Sequence, residues 1–433
     1  MRPGGASVFL LRGDARGFLC GELEPVSWAV SLNVSSLSPL RPWIPAPIRR
    51  NARIDVVAAA LYGLFGGLTT PFIPFMARDR LEASSLQVSL VVASQGIVLL
   101  LSLWFARFVR IRHPVRAVIV PSLIARGLLL LMPLVHTASA YVIVVFAHYA
   151  VASISMLGYA QVMRAVYPAD IRGRIMGVVR VGMALNWIAA SLVGGRVMQF
   201  VPFQWVFAVG GAFGMTSSLV FSRMRLPEDV PAEDPVDLSR TREILREDRP
   251  FRAFLTGLLI YGFGVWFISP AIPILLVDYL HATSFQAGLL SAVSSAVWLF
   301  SYYYWGRMID RRSAVWAMSL VTFIGTITPA IYLLSPNAWV VQAAGITEGL
   351  TSAGFDLGWL TAVLEYAPAG QIRHYVAIYN TLVGVRGSSA PFLAGALLPL
   401  VGVRVVFAIG IALTLLGALL LRRAVRRTPP SKA

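Results

Sequence analysis

Apolar and polar residues follow one another in long blocks along this chain. Twelve predominantly apolar runs are separated by short polar segments that are rich in arginine. An α-helix needs about 20 apolar residues to cross the roughly 30 Å hydrocarbon core of a bilayer. The pattern therefore predicts twelve transmembrane helices, which start near Ile54, Ser85, Pro114, Tyr141, Arg174, Pro202, Phe251, Ser284, Ala314, Trp339, Tyr375 and Val401.

The composition supports an all-α membrane protein. Of the 433 residues, 57% are hydrophobic and 13% are charged, whereas soluble domains have about 45–50% apolar and about 25% charged residues. The single cysteine, Cys20, excludes a disulfide within the chain and a cysteine metal site. We expect no metal and no cofactor.

Arginine residues cluster at alternate ends of the predicted helices. Cytoplasmic loops of membrane proteins collect positive charge. If the amino terminus is cytoplasmic, that side carries most of the arginines, and the other side keeps mainly Arg78, Arg80, Arg196 and Arg404. We therefore predict a multi-pass protein of the cytoplasmic membrane with both termini inside. The net charge of +17 follows from this topology and does not indicate nucleic-acid binding.

A polar stretch divides the chain into two halves. Residues 224–250 hold eight of the twenty acidic residues and predict a central cytoplasmic loop. On either side, residues 51–223 and 251–422 would each form a six-helix bundle. Residues 1–50 lack the pattern of a signal peptide and predict a disordered cytoplasmic tail, unless the true start lies near Arg49. Residues 423–433 would form a second cytoplasmic tail.

The two halves repeat one pattern at an offset of 199 to 201 residues. Matched pairs include Tyr62-Gly63 with Tyr261-Gly262, Asp79 with Asp278, and Leu157-Gly158 with Leu357-Gly358. Because each half has an even number of helices, both halves enter the membrane from the same side. The repeat therefore predicts two pseudo-symmetric bundles that face each other.

Two repeated features have direct structural causes. The segments Ser84-x-x-Gln87 and Thr283-x-x-Gln286 have capping-box spacing, which predicts a helix start in each half. Paired prolines should kink the first and seventh helices near their outer ends, because proline removes a backbone hydrogen bond. We interpret them as devices of helix shape, and the kinks are also candidate gates. These prolines are Pro71, Pro74, Pro270 and Pro273.

The segment "GRMIDRR" follows the predicted eighth helix. With the twelve helices, the repeat and the central loop, it makes residues 54–422 resemble the major facilitator superfamily of secondary transporters. The resemblance implies the fold of that family and a loop latch made by Gly306, Asp310 and Arg311. In the first half the corresponding "ARFVRIR" has Ala106 and Arg110 in place of the motif's glycine and aspartate.

A second signature of the family is altered. Many drug/proton antiporters carry Gly-Pro-x-x-Gly-Gly in the fifth helix, but "ASLVGG" has Ser191 in place of the proline, while "APFLAG" in the eleventh helix has Pro391. The small residues still predict close helix approach.

Only two acidic residues lie well inside the predicted helices, namely Glu348 and Asp356 on the tenth. Eight residues separate them, which is two turns plus about 80°, so both should lie on roughly the same side of the helix. The repeat partner of Glu348 is His148 on the fourth helix. An ionisable group in hydrocarbon costs several kcal/mol unless it faces a partner or a wet cavity.

Arginines complete this polar set. In the superfamily, helices one, four, seven and ten, with parts of five and eleven, line a central cavity. The resemblance therefore implies that the groups for substrate binding and proton coupling are Glu348, Asp356, His148, Arg180, Arg386 and its repeat partner Asn186. Arg126 lies on the more peripheral third helix, and we interpret it as a structural ion pair or a snorkelling residue.

Structural roles compete with these assignments. Glu348 or Asp356 could form a static salt bridge with Arg386 or Arg180 that holds a bundle together. His148 could be a hydrogen-bonded core residue, and Arg180 could simply reach the membrane interface.

These observations and the resemblance predict a secondary active transporter and not an enzyme. It would move a small molecule by alternating access, coupled to protonation of Glu348 or Asp356. Export of an amphipathic solute is favoured, and proton-coupled uptake or a non-transporting receptor on the same scaffold is the alternative. The chain contains no nucleotide-binding phosphate loop, which disfavours a primary pump. Expected partners are the bilayer, the substrate and protons, and a monomer is the default for the superfamily.

Overall fold

The computed structural model describes residues 44–108, 114–225, 238–368 and 370–427. Over these ranges the protein consists of helices and short turns, without a β-strand. The predicted tail up to residue 43, with Cys20, and residues 428–433 lie outside the described residues. The all-α fold class predicted from the sequence is confirmed.

The first half is built from seven α-helices among the described residues, with a short 3₁₀ helix at Leu129–Leu134 after the fourth. They are α1 (Ala46–Thr69), α2 (Ile73–Asp79), α3 (Ser85–Phe108), α4 (Pro114–Leu128), α5 (Ala138–Val166), α6 (Ala169–Val197) and α7 (Phe203–Phe221).

The second half follows the same plan after a short polar helix, α8. Its helices are α8 (Leu238–Glu247), α9 (Arg249–Ile268), α10 (Ala271–Ile274), α11 (Ser284–Arg311), α12 (Ala314–Gly325), α13 (Ile327–Leu334), α14 (Gln342–Tyr366) and α15 (Ile372–Arg427). A π-helical turn, Leu275–Tyr279, continues α10. Gly402 divides α15 into two arms, because its φ of 79° cannot continue a right-handed helix.

Helices break and restart at the positions that the sequence predicts. The α1 helix ends at Thr69, two residues before Pro71, and α9 ends at Ile268, two residues before Pro270. Both predicted capping boxes are present. In the first, the backbone N–H of Ser84 donates to Gln87 Oε1 (2.9 Å), and the backbone N–H of Gln87 donates to Ser84 Oγ (3.3 Å). Thr283 and Gln286 form the second.

Nine segments of the described chain are long and apolar enough to cross a membrane. The predicted twelve helices are consistent with this number. The α15 run counts as one segment but has two arms, the apolar part of α3 is the shorter Ser85–Leu100, and α14 carries Glu348, Asp356 and Glu365.

Three helix bounds differ from the limits of the apolar runs and polar segments. The α1 helix begins at Ala46 and not near Ile54, because proline is well suited to a first helical turn and the polar residues after it can also be helical. At the other end, α15 continues to Arg427. The predicted central loop, 224–250, contains α8, whose Ile244 is buried against the second half.

Close contacts between small residues join the two halves. The α3 helix packs against α15, and α6 packs against α11. Gly96 lies so close to Gly387 that a methyl group there would overlap the backbone of α15. Gly195 meets the backbone of Ser284 in the same way. The prediction that the small residues of "ASLVGG" permit close helix approach is confirmed.

Candidate functional site

The two halves contact each other directly on the side of the molecule where α1 ends, which we call the Arg78 side. The opposite side, where α1 begins and α15 ends, is called the termini side. Arg78 on α2 forms an ion pair with Asp278, with Nε–Oδ1 and Nη2–Oδ2 distances of 2.9 and 2.5 Å. Arg78 also donates to the carbonyl oxygen of Ala83 (2.8 Å). Nearby, Ser284 Oγ donates to the carbonyl oxygen of Gly195 (2.9 Å).

The contact between α6 and α11 continues from the Arg78 side toward the middle of the helices. Trp187 Nε1 donates to Ser291 Oγ (3.1 Å). Two turns earlier on α6, Arg180 donates to the Tyr302 hydroxyl and to Asp356 Oδ2 (3.3 Å). Tyr302 also donates to Asp356 (2.6 Å). Arg180, Tyr302 and Asp356 form a polar group, which we call the bridging triad, between the two halves.

A cavity of about 720 Å³ lies next to the bridging triad. Most of its wall comes from the first half, and Trp298 and Asp356 contribute from the second. Its lining runs from Thr70, just after the end of α1, to the termini side, where it includes Asp55 in the third turn of α1 and Phe221 at the end of α7. The ionisable lining residues among those described, apart from tyrosines, are Asp55, Arg126, His148, Arg180 and Asp356.

Asp55 is a buried carboxylate on the cavity wall. Its residue is only 2% exposed, and Oδ2 accepts a hydrogen bond from the Tyr167 hydroxyl (3.0 Å). Tyr167 lies in the connection between α5 and α6. Burial, and then the neighbouring Asp55, raises the pKa of the Tyr167 hydroxyl. Tyr167 therefore keeps its proton and acts as the donor to Asp55.

The Arg126 side chain projects from α4 toward α7 within the first half. Its Nη1 donates to the carbonyl oxygen of Gly214 (2.5 Å) and to Ser218 Oγ (2.5 Å), both on α7. Its Cζ lies 5.2 Å from the ring centre of Tyr62 and 5.4 Å from that of Phe65. Such cation–π contacts hold a guanidinium over aromatic faces.

His148 on α5 lies beside Arg126. Its Nδ1 is 2.7 Å from the carbonyl oxygen of Ala125. Because a carbonyl oxygen can only accept, Nδ1 must carry the proton in this contact. The ring also packs edge-on against Phe65 and Tyr149. His148 is thus held by α4 while it lines the cavity.

The family model described as Major Facilitator Superfamily matches the chain twice, over residues 56–261 and 254–433. The chain belongs to the major facilitator superfamily. The paired match agrees with the internal repeat, and the resemblance stated from the sequence is confirmed. A comparison with curated proteins gives no significant match.

Solved structures of superfamily transporters share the fold. One is a bacterial homologue of the human lysosomal transporter Spinster, in an inward-facing, unoccupied conformation (TM-score 0.63, 14% identity, 88% of this chain and 98% of that chain covered). Its inward-facing, occupied form gives a TM-score of 0.66 at 12% identity, with 88% and 97% covered. A variant of the nucleoside transporter NupG gives 0.71 at 12% identity, with 87% and 99% covered. At these identities the likeness concerns the fold alone.

Within this superfamily fold, three of the six predicted cavity residues come together. His148, Arg180 and Asp356 line the cavity. Asp356 forms a salt bridge with Arg180, which is one of the pairings named above as a structural alternative. This ion pair joins the two halves, and its side chains remain 42% and 44% exposed.

The other three predicted cavity residues point into their own bundles and are not part of the described cavity wall. Glu348 accepts a hydrogen bond from Tyr332 on α13 (2.7 Å). Arg386 donates to the carbonyl oxygen of Leu258 (2.5 Å) and packs against Gly262. Asn186 donates to the carbonyl oxygen of Gly182 (2.9 Å).

The predicted latch residues lie at the end of α11. Within the described part of the chain, neither Asp310 nor Arg311 forms a hydrogen bond or an ion pair, and nothing lies within 4 Å of the position of a Cβ on Gly306. The latch therefore stays a prediction. A different contact occurs close by, where the Glu365 carboxylate accepts from the backbone N–H of Ala314 (2.6 Å) and caps α12.

Sequence reasoning missed two residues of the cavity wall. Asp55 was not among the expected site residues, because the apolar run starts beside it at Ile54, whereas the helix begins at Ala46. Arg126 was interpreted as a structural ion pair or a snorkelling residue, but its side chain lines the cavity and no carboxylate of the described residues pairs with it. The space for the Arg126 side chain comes from Gly214 on α7, which has no side chain of its own.

Proposed function

We propose that this superfamily member is a proton-coupled secondary transporter that moves a small amphipathic molecule by alternating access. One observation carries the proposal. The ion pair between Arg180 and Asp356 joins the two halves at the cavity wall. A proton or a solute that binds there changes the contact that holds the halves in their present arrangement, as coupling requires.

Alternating access is supported by the asymmetry between the two sides. The ion pair of Arg78 with Asp278 and the contact of Gly195 with Ser284 close the Arg78 side. The cavity extends toward the termini side, and the arginine distribution predicts that this side is cytoplasmic. On this proposal the conformation is inward-facing, and opening of the Arg78 side is the other half of the cycle.

Proton coupling is assigned to Asp356 and not to Glu348. Protonation of Asp356 removes the negative charge that Arg180 contacts, so the bridging triad weakens when a proton binds. Glu348 contacts Tyr332 inside its own bundle, which suits a structural role. We favour export, because a mostly apolar cavity on the predicted cytoplasmic side can load an amphipathic solute. Uptake through the same cavity is the alternative.

Flux measurements in proteoliposomes with an imposed pH gradient test this proposal. The wild type and the Asp356→Asn variant are compared for transport of amphipathic anions, cations and neutral solutes. We expect gradient-driven flux of one solute class in the wild type and its loss in Asp356→Asn, while exchange without a gradient persists.

Asp170→Asn is the matched control, since Asp170 is exposed at the start of α6 and outside the cavity wall. The control should transport like the wild type. Unchanged gradient-driven flux in Asp356→Asn would assign coupling elsewhere, and a complete lack of flux in the wild type would refute the proposed function.

A further inference from the structure

We propose that the substrate carries an anionic group, a carboxylate or a phosphonate-like group, and that Arg126 receives this group inside the cavity. This inference rests on the proposed function, because it assigns a chemical class to the solute that the cavity accepts. It starts from the hydrogen-bonding capacity of one side chain.

A guanidinium has five N–H donors arranged in a planar fork. In Arg126 only Nη1 has protein acceptors, which are the carbonyl oxygen of Gly214 and the hydroxyl of Ser218. Among the described residues nothing accepts from Nε or Nη2. The Nε and Nη2 donors together form the edge that binds a carboxylate or phosphate in a bidentate manner.

The positive charge of Arg126 also lacks a counter-ion among the described residues. Asp356 in the same cavity is paired with Arg180. Asp55 precedes Tyr62 by seven residues on α1, which corresponds to about 10 Å along the helix, and it contacts Tyr167 instead. The rings of Tyr62 and Phe65 stabilise the cation without neutralising it.

Two comparisons within the chain distinguish Arg126 from an arginine with a purely structural role. The repeat partner of Arg126 is Thr326, so the same position in the second half has no cation. Arg386 is another buried arginine, but it packs against Gly262 and does not belong to the described cavity wall. Arg126 therefore combines an unneutralised charge with access to a cavity, where an incoming anion can complete the pair.

The surrounding wall suits the rest of such a solute. Polar groups of the cavity wall include the Tyr62 hydroxyl and the side chain of Gln95, which donates to the Tyr149 hydroxyl (3.3 Å). Phe65 and Val98 are among the many apolar lining residues. The cavity is thus built for an amphipathic anion whose charged end lies at Arg126 and whose apolar part contacts the remaining wall.

Binding to the purified, full-length protein tests the inference with four probes that share one apolar ring system. The probes are naphthylacetate, naphthylmethylphosphonate, the uncharged naphthylacetamide and the cationic naphthylethylamine. We expect at least one anion to bind the wild type about 30-fold or more tightly than the amide and the amine, as for a buried charge pair. Arg126→Gln should abolish this preference, and Arg126→Lys should keep part of it, because lysine retains the charge without the fork.

Arg196→Gln removes the same charge from an exposed site at the end of α6 and is the matched control. It should bind the anions like the wild type. If Arg126→Gln does not fold, Arg126→Lys still reports the loss of the bidentate edge. The inference is wrong if no anion binds the wild type, if the amide or amine binds as tightly as the anions, or if the folded Arg126 variants keep the wild-type preference.

The inference and the proposed function fail in different ways. Anion binding that depends on Arg126, without flux in proteoliposomes, would leave the binding site in place and refute transport. Gradient-driven flux of a neutral or cationic solute in both the wild type and Arg126→Gln would support transport and refute the anion site.

Discussion

The acidic residues inside the helices differ in their partners, and the partners separate structural from functional roles. Glu348 accepts from a tyrosine of its own bundle, whereas Asp356 contacts an arginine of the other half. Glu365 caps a helix start. Asp55 is the most unusual, because this carboxylate with 2% exposure lines the cavity and accepts a hydrogen bond from the Tyr167 hydroxyl. Removing that donor leaves a buried charge uncompensated.

The first prediction concerns the contact between Tyr167 and Asp55. Tyr167→Phe should lower the free energy of unfolding by about 1–3 kcal/mol, because the buried carboxylate loses its hydrogen bond. Chemical denaturation in mixed micelles measures the change. In an Asp55→Asn background the same substitution should cost less, since the amide carries no charge. Equal costs in both backgrounds would show that the charge of Asp55 is not what Tyr167 stabilises.

At the scale of helices, glycines decide how closely the two halves approach. Gly96 on α3 faces Gly387 on α15, and a side chain at either position would push the helices apart. Gly288 on α11 similarly faces the backbone of Ser191 on α6. At these contacts the backbones of the two halves meet without side chains between them.

The second prediction follows from this packing. Gly96→Ala should weaken the contact between α3 and α15 and increase the exposure of the Arg78 side. Labelling of a cysteine placed at Ser284, which is buried at the contact between the halves on that side, measures that exposure after replacement of Cys20. Gly182→Ala is the control, because nothing lies within 4 Å of the corresponding Cβ position. Equal labelling rates in both variants would argue against a role of Gly96 in closure.

The elements were more predictable than the directions of individual side chains. Pro71 and the Ser84 capping box act through local backbone chemistry, so the chain alone predicts the helix break and the helix start. Glu348 and Asp356 were expected on one side of their helix. Yet the 80° between them is enough to turn Glu348 toward α13 and Asp356 toward Arg180 of the first half. The direction of Arg126 depends on space left by Gly214 on another helix, which no local pattern records.

At the scale of the whole molecule, the ion pair between Arg78 and Asp278 joins the two halves on the Arg78 side. Arg78 and Asp278 are 28% and 29% exposed, and such pairs contribute about 0.2–1 kcal/mol. Asp79, the repeat partner of Asp278, contacts its neighbour Arg80 instead (3.0 Å), so the repeat does not duplicate the pair. On the proposed function, a contribution of this size would hold the Arg78 side closed without locking it. An equilibrium between two conformations can then respond to a bound proton or solute.

Distances between spin labels test alternating access most directly. After replacement of Cys20, one label pair at Arg80 and Tyr279 reports the Arg78 side, and another at Arg174 and Arg307 reports the termini side. We predict that Asp278→Asn raises the population with an open Arg78 side by up to about 5-fold. The distances on the termini side should shorten in the same population. Distances that stay unchanged on both sides, or that lengthen on both sides together, would contradict alternating access in this protein.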